Sequence, residues 1–554
     1  MFTSKNALLL SMFIVGICYA NSLPNEFILD DVPIVAGNPA IRSISPLQFL
    51  TAPYWKQAQD AGIYRPVTVF SFSIDYALWT LWPPGYRLTN LALHALNGWL
   101  VFLLARSLTG NPVAAAAAMA IYVAHPVQTE AVAGIVGRNE LLAALCFLSA
   151  WLFFRKGHTA LPAVFFLLSL LSKENAIVFP LVVVIDLWFS EGDAFNKIRE
   201  ASRRLAAIGV VAAGYLVLRL SVLGGIGVPA SVQYLGGRLT LFERWMTSGR
   251  VFLEYFRLLL APVDLAGDYD FNTIPIAGVF DWDAWLGILL VLLVVAAACL
   301  CRRRSQAVGL GLIFPIIALL PVSNWIMPIS VLMAERFLYL PVFGLALAVG
   351  FAFSKIQSRE TQGIAAAGAL SIAVVLCVSH NYVWRNDFTF YENMIRVVPE
   401  NAKARLGYGF ALIEAGRKAD AERQLEQGLQ ILPDNPALLS TLAIARMTRD
   451  DCSRAFPLLK RALDINPKHG DSLRRLADCY YREGDKAQAE STYKQAIDNS
   501  PFPDALMLFM WALSLEETGQ KQSAAVAYER AALLDPDNVF IKQKLVELRG
   551  NWGQ

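Results

Sequence analysis

Charged residues are scarce in this sequence. Asp, Glu, Lys and Arg make up 17% of its 554 residues, whereas 56% are hydrophobic. A soluble domain usually has about a quarter of its residues charged, so the composition excludes a chain that is soluble throughout. The net charge of +3 is too small to indicate a nucleic-acid partner. We predict a polytopic membrane domain over 1–385, whose first outer loop is 23–88, and a soluble C-terminal domain in which charges are dense.

Several patterns typical of known sites are missing. The seven cysteines form no CxxC motif, and no Cys/His group has the spacing of a zinc site. The P-loop, GxSxG and HExxH patterns are also absent, which argues against a nucleotide-driven transporter. Asp264, Asp268 and Asp270 lack the pattern of a calcium loop. His94 and His125 are better explained as packed or hydrogen-bonded residues than as metal ligands, so we predict no metal site.

Long hydrophobic runs are abundant instead. About 20 apolar residues cross a bilayer, and eleven runs are candidates, roughly 6–22, 89–107, 112–130, 139–154, 159–173, 175–190, 205–223, 284–300, 307–325, 332–353 and 364–384. The first is interpreted as an uncleaved span, because a multi-span protein need not lose its first helix. Charged residues interrupt 241–262, which is interpreted as an interfacial or partly buried helix.

Basic residues predict the orientation of these spans through the positive-inside rule. With eleven spans and an inside N-terminus, four basic clusters fall on one side of the membrane. These clusters are Arg155-Lys156, Lys197 with Arg199, Arg203 and Arg204, Arg302-Arg303-Arg304, and Lys355 with Arg359. The first outer loop and the C-terminal domain then lie on the opposite side, which is periplasmic or lumenal.

Prolines recur at intervals of 34 or 35 residues in the C-terminal domain. They are Pro399, Pro433, Pro467, Pro501 and Pro536. A 34-residue period is typical of tetratricopeptide repeats, in which each repeat is a helix hairpin. Small residues recur where the paired helices approach closely: Gly409, Ala443, Ala477 and Ala512 in the first helix, and Ala421, Ala455, Ala489 and Ala524 in the second.

The sequence therefore predicts an all-α fold, in which a helical membrane domain precedes a repeat solenoid. We place a linker at 386–400, four repeats at 401–536, and a capping helix with a tail at 537–554. The concave groove of such a solenoid suits an extended peptide. A spacer or a dimerisation module is the alternative.

Two adjacent carboxylates, Asp30 and Asp31, follow the first predicted span. A like-charge pair at this place is useful if one carboxylate has to accept a proton. Asp75, in an aromatic amphipathic stretch, is expected to face water.

Four cations lie on the same predicted side as these carboxylates, namely Arg65, Arg138, Lys173 and Arg336. A cationic cluster at a membrane interface suits a lipid phosphate. For each cation the alternative is snorkelling or an ion pair with a sequence neighbour. Such pairs would join Lys173 to Glu174 and Arg336 to Glu335.

Six segments carry a resemblance to a known family. They are Phe27-x-x-Asp30-Asp31, Tyr64-Arg65-Pro66-Val67-Thr68, Tyr86-Arg87-Leu88-Thr89-Asn90 with His94, the run HPVQTEAVAGIVGR from His125 to Arg138, Ser172-Lys173-Glu174, and the run AERFLYLP from Ala334 to Pro341. The chain resembles the transmembrane and tetratricopeptide-repeat proteins that act as protein O-mannosyltransferases, within the wider GT-C type of membrane glycosyltransferase. The resemblance covers most of the chain, although about four repeats are fewer than the longer family members have.

The resemblance implies transfer of a sugar, with mannose as the expected one, from a polyprenyl-phosphate carrier to a Ser or Thr hydroxyl of a protein. It implies an outer-side site that needs no redox cofactor and no metal. The implied partners are the polyprenyl-phosphate sugar donor, a protein acceptor in the repeat groove and membrane lipid, without nucleic acid. The bacterial inner membrane is favoured over the endoplasmic reticulum.

A Ser hydroxyl is a poor nucleophile that has to lose its proton as it attacks, and we predict Asp30 or Asp31 as the catalytic base. The residues predicted to bind the phosphate and sugar of the donor, or to orient those that do, are Arg65, His125, Glu130, Arg138, Lys173, Glu174, Glu335, Arg336 and Tyr339. Two alternatives remain: a GT-C transferase that acts on a lipid or a glycan, and a non-catalytic membrane-anchored scaffold that recruits partners through its repeats.

Overall fold

Helices account for the regular secondary structure of this protein. The computed structural model describes residues 3–45, 49–51, 54, 62–190, 192–225, 239–270, 272–302, 304–447, 451–500, 503–536 and 538–550. Within these ranges the β-type pairing is an isolated bridge between Tyr269 and Met333, and no strand is formed. The predicted all-α fold is confirmed. The chain folds into two compact units, Met1–Val398 and Pro399–Gln554.

Helices of ten or more residues are numbered here in chain order. Those of the first unit are α1 (Ser4–Tyr19), α2 (Pro66–Trp79), α3 (Pro83–Thr109), α4 (Pro112–Ala124), α5 (Arg138–Arg155), α6 (Ala160–Ser172), α7 (Phe179–Phe189), α8 (Ser202–Leu223), α9 (Leu241–Leu260), α10 (Trp282–Cys301), α11 (Gln306–Leu319), α12 (Val342–Phe353), α13 (Arg359–Val383) and α14 (Asp387–Val397). Short helical turns lie at Pro126–Gln128, Thr129–Ala133, Glu174–Val178 and Glu335–Leu338. The stretch predicted as a linker, 386–400, consists largely of α14.

Four helices in the described ranges are long and apolar enough to cross a bilayer: α3, α8, α10 and α13. A fifth is α5 if it is taken with Pro126–Ala133, from which it is bent by 110°. The prediction of eleven spans is therefore not confirmed. The 13 residues of α4, and likewise of α6, rise only about 20 Å, which is less than the roughly 30 Å of a hydrocarbon core.

The apolar runs are divided because the backbone turns inside them. The predicted span 112–130 contains α4, which ends before His125 and Pro126, and then two short helical turns. The predicted span 332–353 likewise begins with irregular backbone and a turn at Glu335–Leu338 before α12. Hydropathy averaged over a span does not detect these breaks, since long apolar stretches flank the few polar residues at each of them. The breaks carry several of the predicted site residues.

Helix caps determine the tight turn between α3 and α4. Helix α3 ends at Gly110, whose φ of 65° lies in the left-handed region that glycine adopts without strain. The next residue, Asn111, accepts the backbone N–H of Val113 at 2.8 Å through Oδ1, and Pro112 occupies the first helical position of α4. The two caps let α3 and α4 pack directly against each other.

The interrupted apolar stretch 241–262 forms helix α9. Its N-terminus has a capping box, in which Thr240 and Glu243 satisfy each other's backbone N–H groups. It packs on α10, and Gly249 of α9 lies against Gly287 of α10 so closely that a Cβ atom on Gly287 would overlap the carbonyl of Gly249. The ion pair between Arg250 and Asp283, at 2.7 Å, joins the same two helices.

The second unit consists of consecutive helix hairpins. Its helices are α15 (Ala402–Glu414), α16 (Lys418–Ile431), α17 (Pro436–Arg446), α18 (Phe456–Ile465), α19 (Gly470–Arg482), α20 (Lys486–Asp498), α21 (Ala505–Glu517), α22 (Lys521–Leu534) and α23 (Val539–Gly550). The predicted small residues are all buried, from Gly409 and Ala421 in the first hairpin to Ala512 and Ala524 in the fourth. Close helix contact explains their size.

Candidate active site

An exposed carboxylate and a buried one stand side by side after α1. The side chain of Asp30 is exposed, whereas Asp31 retains 3% of its accessible surface. The residue before them, Leu29, has a φ of 50°. This left-handed conformation is costly for a bulky residue and persists only where surrounding contacts hold it. The backbone is therefore fixed at the point where the two carboxylates diverge.

Asp31 ties the first outer loop to the turn before α5. Its Oδ1 accepts the backbone N–H of Val136 at 2.9 Å, while Oδ2 has no hydrogen-bond partner among the residues that the structure describes. Burial raises the pKa of Asp31 to about 6, although the charge of Arg87 and the hydrogen bond from Val136 act in the opposite direction. The buried carboxylate has a structural partner, and its exposed neighbour faces the solvent.

Arg87, which was not assigned a role from the sequence, holds the segment that leads to these carboxylates. It is fully buried on α3, and its Nε donates to the carbonyl of Ala133 at 3.0 Å. Its two terminal nitrogens donate to the carbonyls of Asn25 and Glu26. The backbone N–H of Glu26 in turn donates to the carbonyl of Arg385 at 2.9 Å. Arg87 belonged to one of the resembling motifs, but nothing in the sequence shows that its partners are carbonyls.

Each of the four predicted cations has a carboxylate partner. The alternative considered from the sequence, in which Lys173 pairs with Glu174 and Arg336 with Glu335, is not observed among the residues that the structure describes. The pairs that form are Arg65 with Glu174, Arg138 with Asp75, Lys173 with Glu140, and Arg336 with Glu130. The cluster is thus charge-compensated within the protein.

Arg138 is enclosed, with 0% of its side-chain surface accessible. Its guanidinium pairs with Asp75 at 2.5 Å, donates to Asn90 Oδ1 at 2.8 Å and to the carbonyl of Tyr86 at 2.7 Å, and lies over the ring of Phe72. Asp75 is buried, so the expectation that it faces water is wrong. With its donors engaged in this way, Arg138 binds three helices together.

Arg65 and Lys173 lie near each other beside the turn after α6. Glu174 accepts two hydrogen bonds from Arg65, at 3.0 Å from Nε and 2.6 Å from Nη2. Lys173 is buried against Glu140 and lies over the ring of Phe337. Both Arg65 and Arg336 interact electrostatically with Lys173. Three cations thus converge on one region.

Arg336 is the most accessible of the four cations, since 30% of its side-chain surface is exposed. It pairs with Glu130, a buried residue of the turn at Thr129–Ala133. It also interacts electrostatically with Asp30 and with Glu140. An exposed carboxylate and a partly exposed guanidinium therefore share one neighbourhood, as a base and a phosphate ligand would have to.

Glu335 lies on the other side of the same turn. Its Oε1 accepts the hydroxyl of Tyr269 at 2.6 Å and the backbone N–H of Ala266, and its side chain is fully buried. His380 Nε2 lies 3.8 Å from Oε2. Glu335 anchors the loop after α9 instead of facing Arg336.

His125 and Tyr339 have partners inside the helical core. His125 Nε2 lies 3.1 Å from the carbonyl of Leu259, and its Nδ1 accepts the N–H of Val127. Tyr339 pairs with His94 Nδ1 at 2.7 Å and accepts the amide of Asn97 at 3.0 Å. Both histidines are packed and hydrogen-bonded, as the sequence favoured.

Glu140 is the second residue that sequence reasoning missed. It sits in the first turn of α5, two residues after Arg138, and it pairs with Lys173 while interacting electrostatically with Arg65 and Arg336. Its place two residues after Arg138, which ends a resembling motif, is the available signal. Among the residues that the structure describes, no group of three or more His, Cys, Asp or Glu side chains is arranged to hold a metal ion.

Comparison with known proteins shows what the chain is similar to. A family model described as tetratricopeptide repeat matches residues 388–445 and 447–508. Protein O-mannosyl-transferase Tmtc3 of Drosophila melanogaster is 27% identical and aligns with 87% of this chain and 62% of its own. Protein O-mannosyl-transferase TMTC3 of Homo sapiens is 26% identical and aligns with 95% of this chain and 64% of its own.

The chain thus spans less than two thirds of the length of these curated relatives. The resemblance predicted from the motifs is confirmed, because relatives that match most of the chain are named protein O-mannosyl-transferases. A solved structure of a tetratricopeptide-repeat protein from Thermus thermophilus is 18% identical, with 33% of this chain and 97% of that chain aligned and a TM-score of 0.26.

Proposed function

We propose that this protein is an integral-membrane glycosyltransferase that moves a sugar, with mannose as the first candidate, from a polyprenyl-phosphate carrier to Ser or Thr hydroxyls of a protein. The names of its relatives support the reaction class. The observation that carries the site assignment is that Asp30, which is exposed, interacts electrostatically with Arg336, which is partly exposed. The proposed location is a bacterial inner membrane, with the site and the repeats on the periplasmic side.

In the proposed reaction Asp30 accepts the proton of the acceptor hydroxyl. The hydroxyl oxygen attacks the anomeric carbon, the bond from that carbon to the phosphate oxygen breaks, and the phosphate leaves with the electron pair. Attack and departure on opposite faces invert the anomeric configuration. Negative charge grows on the leaving phosphate, and Arg336 stabilises it, because a fixed cation in a site with little water acts strongly on a developing charge.

The other residues of the cluster have supporting roles in this proposal. Arg65 and Lys173 add positive potential beside the phosphate. The carboxylates of Glu130, Glu140 and Glu174 hold the three cations in place, so that no reorganisation is needed when the donor binds. These pairings support a site that is assembled before the substrates arrive.

The proposal gives Asp31 and Arg138 positioning roles. The hydrogen bond from Val136 to Asp31 fixes the turn that begins α5, and the fully engaged guanidinium of Arg138 secures that turn from inside. Asp31 retains only 3% of its accessible surface, and a buried carboxylate is a poor candidate for a residue that must reach a protein acceptor. The accessible neighbour, Asp30, is therefore assigned as the base.

We also propose that the repeats hold the protein acceptor. Four hairpins followed by α23 form a unit long enough for an extended peptide, and concave solenoid surfaces of this kind commonly bind peptides. An acceptor held there would be presented repeatedly to one site, which raises its effective concentration.

The decisive experiment uses the purified full chain with labelled polyprenyl-phosphate mannose and Ser- or Thr-containing peptides. Transfer of label to peptide, lost in Asp30→Asn, is the expected result. Transfer to lipid or glycan but not to any peptide would replace the protein acceptor. Partner binding through the repeats without transfer to any acceptor would favour a non-catalytic scaffold.

A further inference from the structure

One position in the repeats carries a side chain that links a repeat to the next in two of the four cases. It lies three residues before the small residue of the second helix and is occupied by Lys418, Cys452, Lys486 and Lys521 in the four repeats. Lys418 Nζ donates to the carbonyl of Met447, at the end of α17, at 2.6 Å. Lys486 Nζ lies 3.1 Å from Glu517 Oε2 on α21. In the first and third repeats, a lysine that opens the second helix thus reaches the first helix of the following repeat.

The second repeat has a thiol at this position. Cys452 is buried before α18, whereas Lys418 and Lys521 are exposed. Its thiol interacts electrostatically with that of Cys479, on α19, the first helix of the third repeat. Both cysteines belong to one buried apolar cluster and are free thiols in the structure. This contact therefore connects the second part of one repeat to the first helix of the next, as the lysine contacts do in the first and third repeats.

The second hairpin is also the one that lacks part of its second helix. Helix α18 has ten residues and starts at Phe456, followed by Pro457, whereas α16 and α22 have 14 and α20 has 13. Ala455, which corresponds to residues inside the other second helices, precedes α18. The missing turn is the one that carries the linking lysine in the first and third repeats. The junction between the second and third repeats therefore lacks this lysine contact, and another connection would stabilise it.

We propose that Cys452 and Cys479 form a disulfide bond that fastens the second repeat to the third. The proposal rests on the proposed placement of the repeats in the periplasm or lumen, where disulfides persist. Neither the tetratricopeptide-repeat pattern nor the sugar transfer requires this bond. The corresponding residues on the other first helices are Ala411, Ala445 and Ser514, so the bond is specific to this junction.

The bond forms by exchange with a disulfide donor, either a protein thiol oxidase or oxidised glutathione. The thiolate of Cys452 attacks one donor sulfur, the donor S–S bond breaks, and the other donor sulfur leaves as a thiolate. The thiolate of Cys479 then attacks Cys452 Sγ in the mixed disulfide and releases the second donor sulfur. The two cysteines lose two protons and two electrons, and the donor is reduced to two thiols.

Burial determines when this exchange takes place. It raises the pKa of the Cys479 thiol, and only the thiolate attacks a disulfide. Exchange is therefore slow once the repeats are packed, so that the bond forms while they fold. The same burial shields the finished bond from reductants.

The test starts from membranes that contain the full chain. The membranes are dissolved directly in a denaturing detergent that contains N-ethylmaleimide, so that buried free thiols are blocked as they become exposed, and the protein is then digested and analysed by mass spectrometry. The expected result is a peptide pair, joined through Cys452 and Cys479, that is lighter by two hydrogen atoms than the separate peptides. Reduction separates it, and Cys452→Ser abolishes it. Cys146, Cys299 and Cys301 are the internal controls and should carry the alkyl group.

A second measurement separates the bond from the placement on which it rests. Gln522→Cys adds an exposed thiol on α22, and intact cells are treated with a membrane-impermeant maleimide, with the wild-type chain as background. Labelled Gln522→Cys together with alkylated Cys452 and Cys479 would overturn the disulfide and leave the placement standing. Unlabelled Gln522→Cys would overturn the placement and the disulfide with it. In the transfer assay, the Cys452→Ser variant is expected to retain at least half of the wild-type rate of sugar transfer.

Discussion

The carboxylate of Glu130 holds Arg336 at two points, since Oε2 accepts its backbone N–H at 2.7 Å and Oε1 accepts a guanidinium N–H. One residue thus fixes both the turn at Glu335–Leu338 and the direction of the side chain that leaves it. The Nε and Nη2 groups of Arg336 have no hydrogen-bond partner in the part of the chain that the structure describes. In the proposed reaction they are the donors available to the phosphate of the sugar carrier.

Substitution of the two adjacent aspartates should have unequal effects on sugar transfer. Asp30→Asn removes the proposed base, and loss of general base catalysis lowers a rate by about 100-fold to 10,000-fold. Asp31→Asn retains an Oδ1 acceptor for Val136 and is expected to lower the rate by less than about 10-fold. Initial rates with labelled donor measure both. A wild-type transfer rate in Asp30→Asn would show that Asp30 is not the base. A larger loss of rate in Asp31→Asn than in Asp30→Asn would make Asp31 the base and Asp30 the positioning residue.

Stability should depend on pH through Asp31. Its pKa of about 6 in the folded state exceeds the ordinary 3.8, so the folded protein binds more protons than the unfolded chain between these pH values. The free energy of unfolding therefore falls as pH rises from about 4 to 6, by about 3 kcal/mol at 1.36 kcal/mol per pH unit.

Asp31→Asn has no charge to bury, so its free energy of unfolding should not show this fall between about pH 4 and 6. The Tm of the variant relative to wild type is expected to rise between pH 4 and pH 7 and then to level off. Intrinsic fluorescence of the detergent-solubilised protein measures it. A Tm difference that stays constant over this range would show that the Asp31 carboxylate is not the source.

Arg138→Lys should damage the fold more than substrate binding. Lysine has no fork that could serve Asp75, Asn90 and the carbonyl of Tyr86 together, and disruption of a buried ion pair costs about 3–5 kcal/mol. The expected result is a low yield of monodisperse protein with a reduced Tm. Arg257→Lys, which changes a partly exposed pair with Glu254, is the matched control. A well-folded Arg138→Lys whose only defect is a raised KM for the donor would support the role in phosphate binding predicted from the sequence.

The crossing of α9 and α10 should not tolerate a methyl group. Gly287→Ala would place Cβ against the carbonyl of Gly249, and overpacking of this kind costs about 1–3 kcal/mol. Gly209→Ala on α8 is the matched control, because nothing lies within 4 Å of its Cβ position and alanine favours a helix by about 1 kcal/mol. Thermal unfolding should show a lower Tm for the first variant and an unchanged or higher one for the second. Equal Tm values would mean that the helices separate freely.

The repeats could be predicted from the sequence because their contacts are local. Ala443 and Leu459 meet inside one hairpin, and Ala477 meets residues of the next helix, so a fixed period is enough to place them. The residue types of the candidate site were also predictable. Ionisable side chains in an apolar region are few, and the turns that carry them are polar enough to notice.

The pairing of those side chains could not be predicted, for a geometric reason. Lys173 has extended backbone, with φ of −158° and ψ of 134°, so it and Glu174 point in different directions. Glu335 and Arg336 are consecutive in a helical turn, where neighbours do not face each other. Their true partners lie far away in sequence: Glu140 is 33 residues from Lys173, and Glu130 is 206 residues from Arg336.

The loop that carries Asp30 is fastened to the far end of the membrane unit. Asn25 Nδ2 donates to the carbonyl of Asn381 at 3.0 Å across a separation of 356 residues. During synthesis the ribosome reaches Asn381 only after most of the membrane helices have been made. The nascent chain therefore carries the Asp30 loop without this hydrogen bond throughout insertion, and the proposed site is completed only when the end of α13 has left the translocon.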